Sequence, residues 1–336
     1  VRDMFYDGHP TPEPGAVVCR VAPSFLRFGH YEILAANDET ALLDRLIDFT
    51  LARDFPHIDG SPAERRAQWF REICERSAEL AAHWMRIGFV HGVLNTDNMS
   101  VLGLGIDYGP YGFAEDYDPA FTPNTTDAQG RRYAYGRQPA VVHWNLARLG
   151  SALLSRMDES DLQSGLDRYG AHYQTTARAM TAAKFGLKDI RDDDLALVQE
   201  AYELLGASSI DYTLFFRTLA HATEPVAFAA HAYDATKFVE ATPLLQSWLA
   251  RYSRRIDGID MAARRARMNA ANPLYLPRNG LCQEAIEAAE RGDLAPLHRL
   301  LDATAEPYRE RPGLDHFAGK RPDWARDKAG CSMLSC

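Results

Sequence analysis

No stretch of this sequence could cross a membrane as a helix: about eighteen uninterrupted apolar residues are needed, and none of that length occurs in its 336 residues. It also lacks a basic stripe. The net charge of −9 is spread along the chain rather than gathered in a tail, so no nucleic-acid partner is expected. Cysteine is scarce. Cys19, Cys74, Cys282, Cys331 and Cys336 include no pair spaced as a metal knuckle or a C-x-x-C motif. The odd number, 5, in a chain of this size points to a reducing compartment, here the bacterial cytoplasm. The first three read as small packed hydrophobes, and Cys331 and Cys336 as exposed thiols of a thin polar tail. Val1 is followed by neither a signal peptide nor a basic presequence, so targeting is not legible at this end. Repeats and low-complexity tracts are absent too. What remains is 46% apolar and 25% charged residues, a globular composition with room for one large domain or two.

Residues 1–16 read as an irregular lead-in and 17–22 as a short strand between Gly15 and Pro23. Leu42, Leu43, Leu46 and Ile47 recur at helical spacing over 39–54. Ser61-Pro62-Ala63-Glu64 combines an N-cap serine, a proline at the first helical position and a capping-box glutamate. The helix it opens carries a stripe of Trp69, Ile73, Leu80, Trp84 and Ile87, and stops at Gly88. After it, residues 99–102 and 104–107 read as two short strands turned at Gly103. Residues 114–137 form a long polar loop, of a kind that usually serves function. From Pro139 the chain is helical in period to about residue 304, with Val142, Leu146, Leu149 and Leu153 on one face. The last 30 residues are expected to be loosely held.

The stretch His91-Gly92-Val93-Leu94-Asn95-Thr96-Asp97-Asn98 carries chemistry, together with the Asp107-Tyr108-Gly109 that closes the hairpin. A helix, a loop, a hairpin and a terminal Asp form the layout of kinase-type phosphoryl transfer. Asn98 and Asp107 offer hard oxygens for Mg²⁺ or Mn²⁺, leaving other positions to phosphate and water. Kinases place an Asp five residues before the metal Asn; here that residue is Val93, which cannot accept a proton. Asp97, one residue before Asn98, is the carboxylate left to act as base. Each residue also has a plainer reading. His91-Gly92 could be a packed histidine after a helix end, Asp97-Asn98 a turn pair, and Asp107 a strand-end cap.

Residues 91–113, HGVLNTDNMSVLGLGIDYGPYGF, closely resemble the signature of the selenoprotein O family. The resemblance extends through CRVAPSFLRFGHYE (19–32), QPAVVHWNLARL (138–149), EAIEAAERGDLAPLHRL (284–300) and RPDW (321–324) to a terminal cysteine. It implies a kinase-like fold and a protein adenylyltransferase, which moves AMP from ATP to Ser, Thr or Tyr hydroxyls of proteins. It implies Asp97 as the base, Asn98 and Asp107 as metal ligands, and Arg20 and Arg27 as phosphate-holding arginines for an ATP bound in a flipped orientation. Asp107 thereby also joins the nucleotide site. The fold class expected is α+β, predominantly helical. A kinase-like lower lobe would span about 1–160, a helical extension 161–305, and a polar tail 306–336.

Two departures bear on this expectation. The family's glycine-rich loop, nucleotide lysine and partner glutamate correspond to positions upstream of Val1, so this chain alone is expected not to hold ATP productively. Some relatives pair a cysteine of the loop after the metal Asp with the terminal cysteine, but 118–124 here contains none. Cys331 with Cys336 is a substitute pair, and two free tail thiols are the plainer reading. Two other functions compete. An aminoglycoside-kinase-like phosphotransferase would need an Asp where Val93 stands. A non-catalytic, pseudokinase-like scaffold would need nothing more.

Overall fold

The computed structural model describes residues 17–328 and Cys331, and before them only the backbone of the antiparallel pair β1 (Asp3–Met4) and β2 (Glu13–Pro14). The described chain is α+β and mostly helical. Three helices come first: α1 (Phe28–Ala36), α2 (Thr40–Asp54) and α3 (Pro62–Ile87). A two-residue strand, β3 (Phe89–Val90), then pairs antiparallel with β4 (Gly112–Phe113). Helices α4 (Gln138–Leu153), α5 (Glu159–Lys184), α6 (Asp194–Ser208) and α7 (Tyr212–Leu219) follow. The last are α8 (Ala235–Arg255), α9 (Met261–Ala271), α10 (Asn279–Glu290) and α11 (Ala295–Ala305). Among the described residues no helix is long and apolar enough to cross a membrane.

Helix α3 begins and ends where local chemistry dictates. The Ser61 N–H donates to Glu64 Oε2 at 2.9 Å, and the Glu64 N–H donates to Ser61 Oγ at 3.4 Å. Gly88 stops the helix at φ +77°, a left-handed conformation that costs glycine little. Trp69, Ile73 and Trp84 are buried on its core face, and Leu80 and Ile87 pack beside them. The α4 stripe of Val142, Leu146, Leu149 and Leu153 enters the same core, with Phe28 and Tyr31 of α1. A second core around Phe185, Phe215, Trp248 and Tyr252 joins α6 to α9, and a third gathers Tyr275, Leu281, Leu300 and Phe317.

Several sequence expectations need correction. Residues 17–22 form no strand: Val17 and Val21 are more than 90% exposed, with no paired neighbour among the described residues. A strand-like composition without a ladder to join stays irregular. The expected hairpin over 99–107 contracts to one bridge, Met99 with Gly105, around a turn at Gly103 (φ +66°). The segment after α11 is held, because Leu314, Phe317 and Ala325 are buried despite its polar composition. Cys74 is buried as expected, but Cys19 is exposed and Cys331 buried, the reverse of their expected roles. Burial raises the Cys331 thiol pKa and so disfavours the reactive thiolate. Cys336, and with it a Cys331–Cys336 pair, lies outside the described residues.

Candidate functional site

Residues 91–111, between the two strands of the β3–β4 pair, have almost no ladder of their own, so their backbone groups need partners from elsewhere. Side-chain amides supply them. Gln138, at the start of α4, accepts from the His91 N–H at 3.0 Å and donates to the Phe89 carbonyl at 2.8 Å. Asn145, two turns along the same helix, donates to the Leu94 carbonyl at 3.0 Å. Asn124, from the loop after β4, donates to the Gly92 carbonyl at 3.1 Å. These three amides were not picked out from the sequence. A signal was available for two of them: Gln138 and Asn145 interrupt the apolar stripe that Val142 and Leu149 continue.

The loop then makes one turn of 3₁₀ helix over Thr96–Asn98, opened by Asn95, whose Oδ1 accepts the Asp97 N–H at 2.9 Å. On this turn Asp97 faces solvent while Asn98 is buried. Asn98 Nδ2 donates to the Val93 carbonyl, which fixes the amide and turns its Oδ1 away. The segment before α1 pairs with the next stretch: Phe28 N donates to the Met99 carbonyl at 3.0 Å and Val101 N to the Leu26 carbonyl at 3.2 Å. Arg27 is thereby bridged to Ser100, and Gly29 is brought against Asp97 so closely that a Cβ there would lie 2.0 Å from Oδ1.

Asp107 follows the Met99–Gly105 bridge, with 29% of its side chain exposed, and Arg20 Nη2 stands 3.8 Å from its Oδ1. Arg20 also donates to the Ile106 carbonyl and lies over the Tyr108 ring. The Arg27 Nε is buried without a hydrogen-bond partner among the described residues. Beneath them His91 is buried against Trp84 and Phe89. Burial pulls its pKa down to about 4, against the opposing charge of Asp107, so the ring is neutral at pH 7. Its Nδ1 accepts from the Val93 N–H at 3.4 Å, which leaves the proton on Nε2.

The donor chemistry suits a hard cation. Asn98 Oδ1 and the Asp107 carboxylate are oxygen ligands of the kind Mg²⁺ and Mn²⁺ take. No group of three or more His, Cys, Asp or Glu with metal-holding geometry occurs among the described residues. A cation here would rely on phosphate and water oxygens for most of its shell. Arg20 and Arg27 suit those phosphates, one by its exposed fork and the other by its unpaired, buried Nε.

The geometry meets an independent match. A family model described as "Protein adenylyltransferase SelO" aligns with residues 2–305. The "Protein nucleotidyltransferase YdiU" of Azoarcus sp. (strain BH72) is 54% identical over 343 residues, covering 100% of this chain. The protein of that name from Xanthomonas campestris pv. campestris (strain B100) matches equally, and that of Aromatoleum aromaticum is 52% identical over 345 residues. The chain spans 66% of the length of each of these relatives.

Proposed function

This chain belongs to the selenoprotein O (SelO) family, and from that premise we propose that it carries the base and metal residues of a protein adenylyltransferase. On this reading the chain contains a kinase-like lower lobe over about 1–160 and a helical extension over 161–305. AMP passes from ATP to Ser, Thr or Tyr hydroxyls of protein acceptors. The relatives' printed name, protein nucleotidyltransferase, supports the reaction class. The observation that carries the residue roles is the Thr96–Asn98 turn, which presents Asp97 to solvent and anchors Asn98 one residue later.

In this reaction the acceptor oxygen attacks the α-phosphorus, pyrophosphate leaves, and the hydroxyl proton goes to the Asp97 carboxylate. Val93 leaves no carboxylate at the position kinases use, so Asp97 takes that role. Asn98 and Asp107 would hold Mg²⁺ or Mn²⁺, which when bound supplies charge neutralisation at the phosphates. Arg20 and Arg27 orient phosphate oxygens, and Arg20 is tied to the metal residue through its contact with Asp107.

The test follows label from α-³²P-ATP and γ-³²P-ATP in parallel, with this chain and with a version extended upstream. Alpha label on protein supports adenylylation, and comparison of the two versions shows whether this chain transfers alone. Gamma label would instead mark phosphoryl transfer. An absence of both labels with the extended protein would leave a non-catalytic scaffold and overturn the proposal.

A further inference from the structure

An exposed tryptophan of α4 is flanked by two arginine guanidinium groups. Trp144, on the outer face of α4, is 46% exposed. The Arg132 guanidinium lies 4.4 Å from a Trp144 ring centroid, and that of Arg148, one helical turn along α4, lies at 5.9 Å. The Arg132 guanidinium has no carboxylate partner among the described residues and lies over the Tyr133 and Trp144 rings. Nearby, Arg137 donates to the Gly130 and Arg131 carbonyls, and Arg131 to the Ala120 carbonyl. Asp127 is buried below, its oxygens taken up by the Arg132 and Tyr133 N–H groups and Thr122. Among the described residues, the one acid paired with the cluster is Glu32, which accepts from Arg148 Nε at 2.9 Å. In a chain of net charge −9 this is a local positive island.

Its position is informative. Glu32 lies on α1 about one helical turn beyond Gly29, the residue pressed against Asp97, so the ion pair to Arg148 ties the island to the same helix that touches the base. Resting on the adenylyltransferase reading, we infer that Arg132, Trp144 and Arg148 form the docking surface for an acidic segment of the acceptor protein, flanking the hydroxyl to be modified. A stacked guanidinium keeps its N–H edge free for carboxylates while its face covers the indole. Exposed Trp and Arg are also the side chains that dominate protein interfaces. The negative charge of the rest of the chain repels an acidic segment elsewhere and directs it to this island.

Fluorescence anisotropy tests this without any catalysis, using a fluorescein-labelled Glu-rich peptide with one Tyr, its Lys-rich counterpart, and a twelve-residue oligothymidylate. The Glu-rich peptide should bind this chain in preference to the other two, and less tightly as salt is raised. Arg132→Glu with Arg148→Glu, and separately Trp144→Ala, should each weaken it roughly tenfold or more. Circular dichroism should show both variants folded, because these side chains are exposed. Equal binding of Glu-rich and Lys-rich peptides, unchanged affinity in the folded variants, or preference for the oligonucleotide would each overturn the inference. Peptide binding without alpha-label transfer by the extended protein would sink the function and leave this surface standing. Transfer without selective peptide binding would do the opposite.

Discussion

Gly29→Ala isolates the role of Asp97 with a single methyl group. A Cβ at position 29 would sit 2.0 Å from Asp97 Oδ1 and 3.1 Å from its Cγ, where ordinary contact begins at 3.4 Å. The carboxylate must therefore retreat by roughly 1.4 Å. Asp97 is exposed, so it can swing outward without disturbing the core. Displacing a reacting group by about 1 Å can cost on the order of 100-fold in rate. The fold should not suffer, because replacing Gly by Ala inside a helix gains about 0.5–1 kcal/mol. The expected result is a transfer rate down about two orders of magnitude with an unchanged or raised melting temperature. Alpha-label transfer by the extended protein measures the first and calorimetry the second. Asp97→Ala should lose at least as much, and adding Gly29→Ala to it should cost little more, since both act on one group. Full activity in Gly29→Ala would refute the reasoning, as would a rate loss accompanied by a collapsed melting temperature.

Asp107→Ala should abolish alpha-label transfer while leaving the melting temperature close to that of the parent, since Asp107 is partly exposed; retained transfer would overturn its role. EDTA should stop transfer and excess Mg²⁺ or Mn²⁺ restore it, read in the same assay. His91 is held neutral by burial with its pKa lowered to about 4, so the unfolded chain binds the extra proton between that value and its ordinary 6.5. Its contribution to stability is therefore present above pH 6.5 and lost as pH falls towards 4, by at most about 3–4 kcal/mol. Comparing urea midpoints of the parent and His91→Phe across that window measures it, and parallel pH profiles would exclude it. Asp211 is buried and takes both guanidinium nitrogens of Arg278 at 2.7 and 2.9 Å. Asp211→Ala leaves Arg278 only its longer contact with Glu115 at 3.5 Å and removes the N-cap of α7, and should cost about 3–5 kcal/mol by chemical denaturation.

The parts of the fold legible in the sequence are those whose causes are local. Helix α3 is written in four consecutive residues at its start, one glycine at its end and a stripe between them. Helix α1 is not written that way. Its first turn is closed by the His30 ring accepting the Arg27 N–H at 3.0 Å, and its entry is fixed by backbone pairing with residues 99–101. Neither partner carries a recognised capping signal, so 19–32 was legible only as a family segment. The strand expected over 17–22 failed for the converse reason. Its composition is favourable, but a strand needs an edge to pair with, and no single segment reveals whether one exists. The tail deceived through averaging, because a few apolar residues among charges suffice to anchor it against α10 and α11.

The candidate site divides along the same line. Asp97, Asn98 and Asp107 could be singled out because the chemistry needs them at short, fixed spacings. Arg20 could not, since its contacts lie 86 and 87 residues away at Ile106 and Asp107. Nor could Arg27, whose distinguishing property is a buried Nε with no partner among the described residues, which has no counterpart in sequence pattern. The amides of Gln138, Asn145 and Asn124 show why. A loop that presents side chains to a substrate cannot spend its backbone on a ladder, so its N–H and C=O groups are satisfied from outside. The geometry of residues 91–98 is consequently specified as much by α4 and the loop after β4 as by the motif. An apolar stripe interrupted by Gln and Asn, in the helix that follows the motif loop, is the trace such an arrangement leaves. It tells which helix will brace the site before any residue of the site is identified.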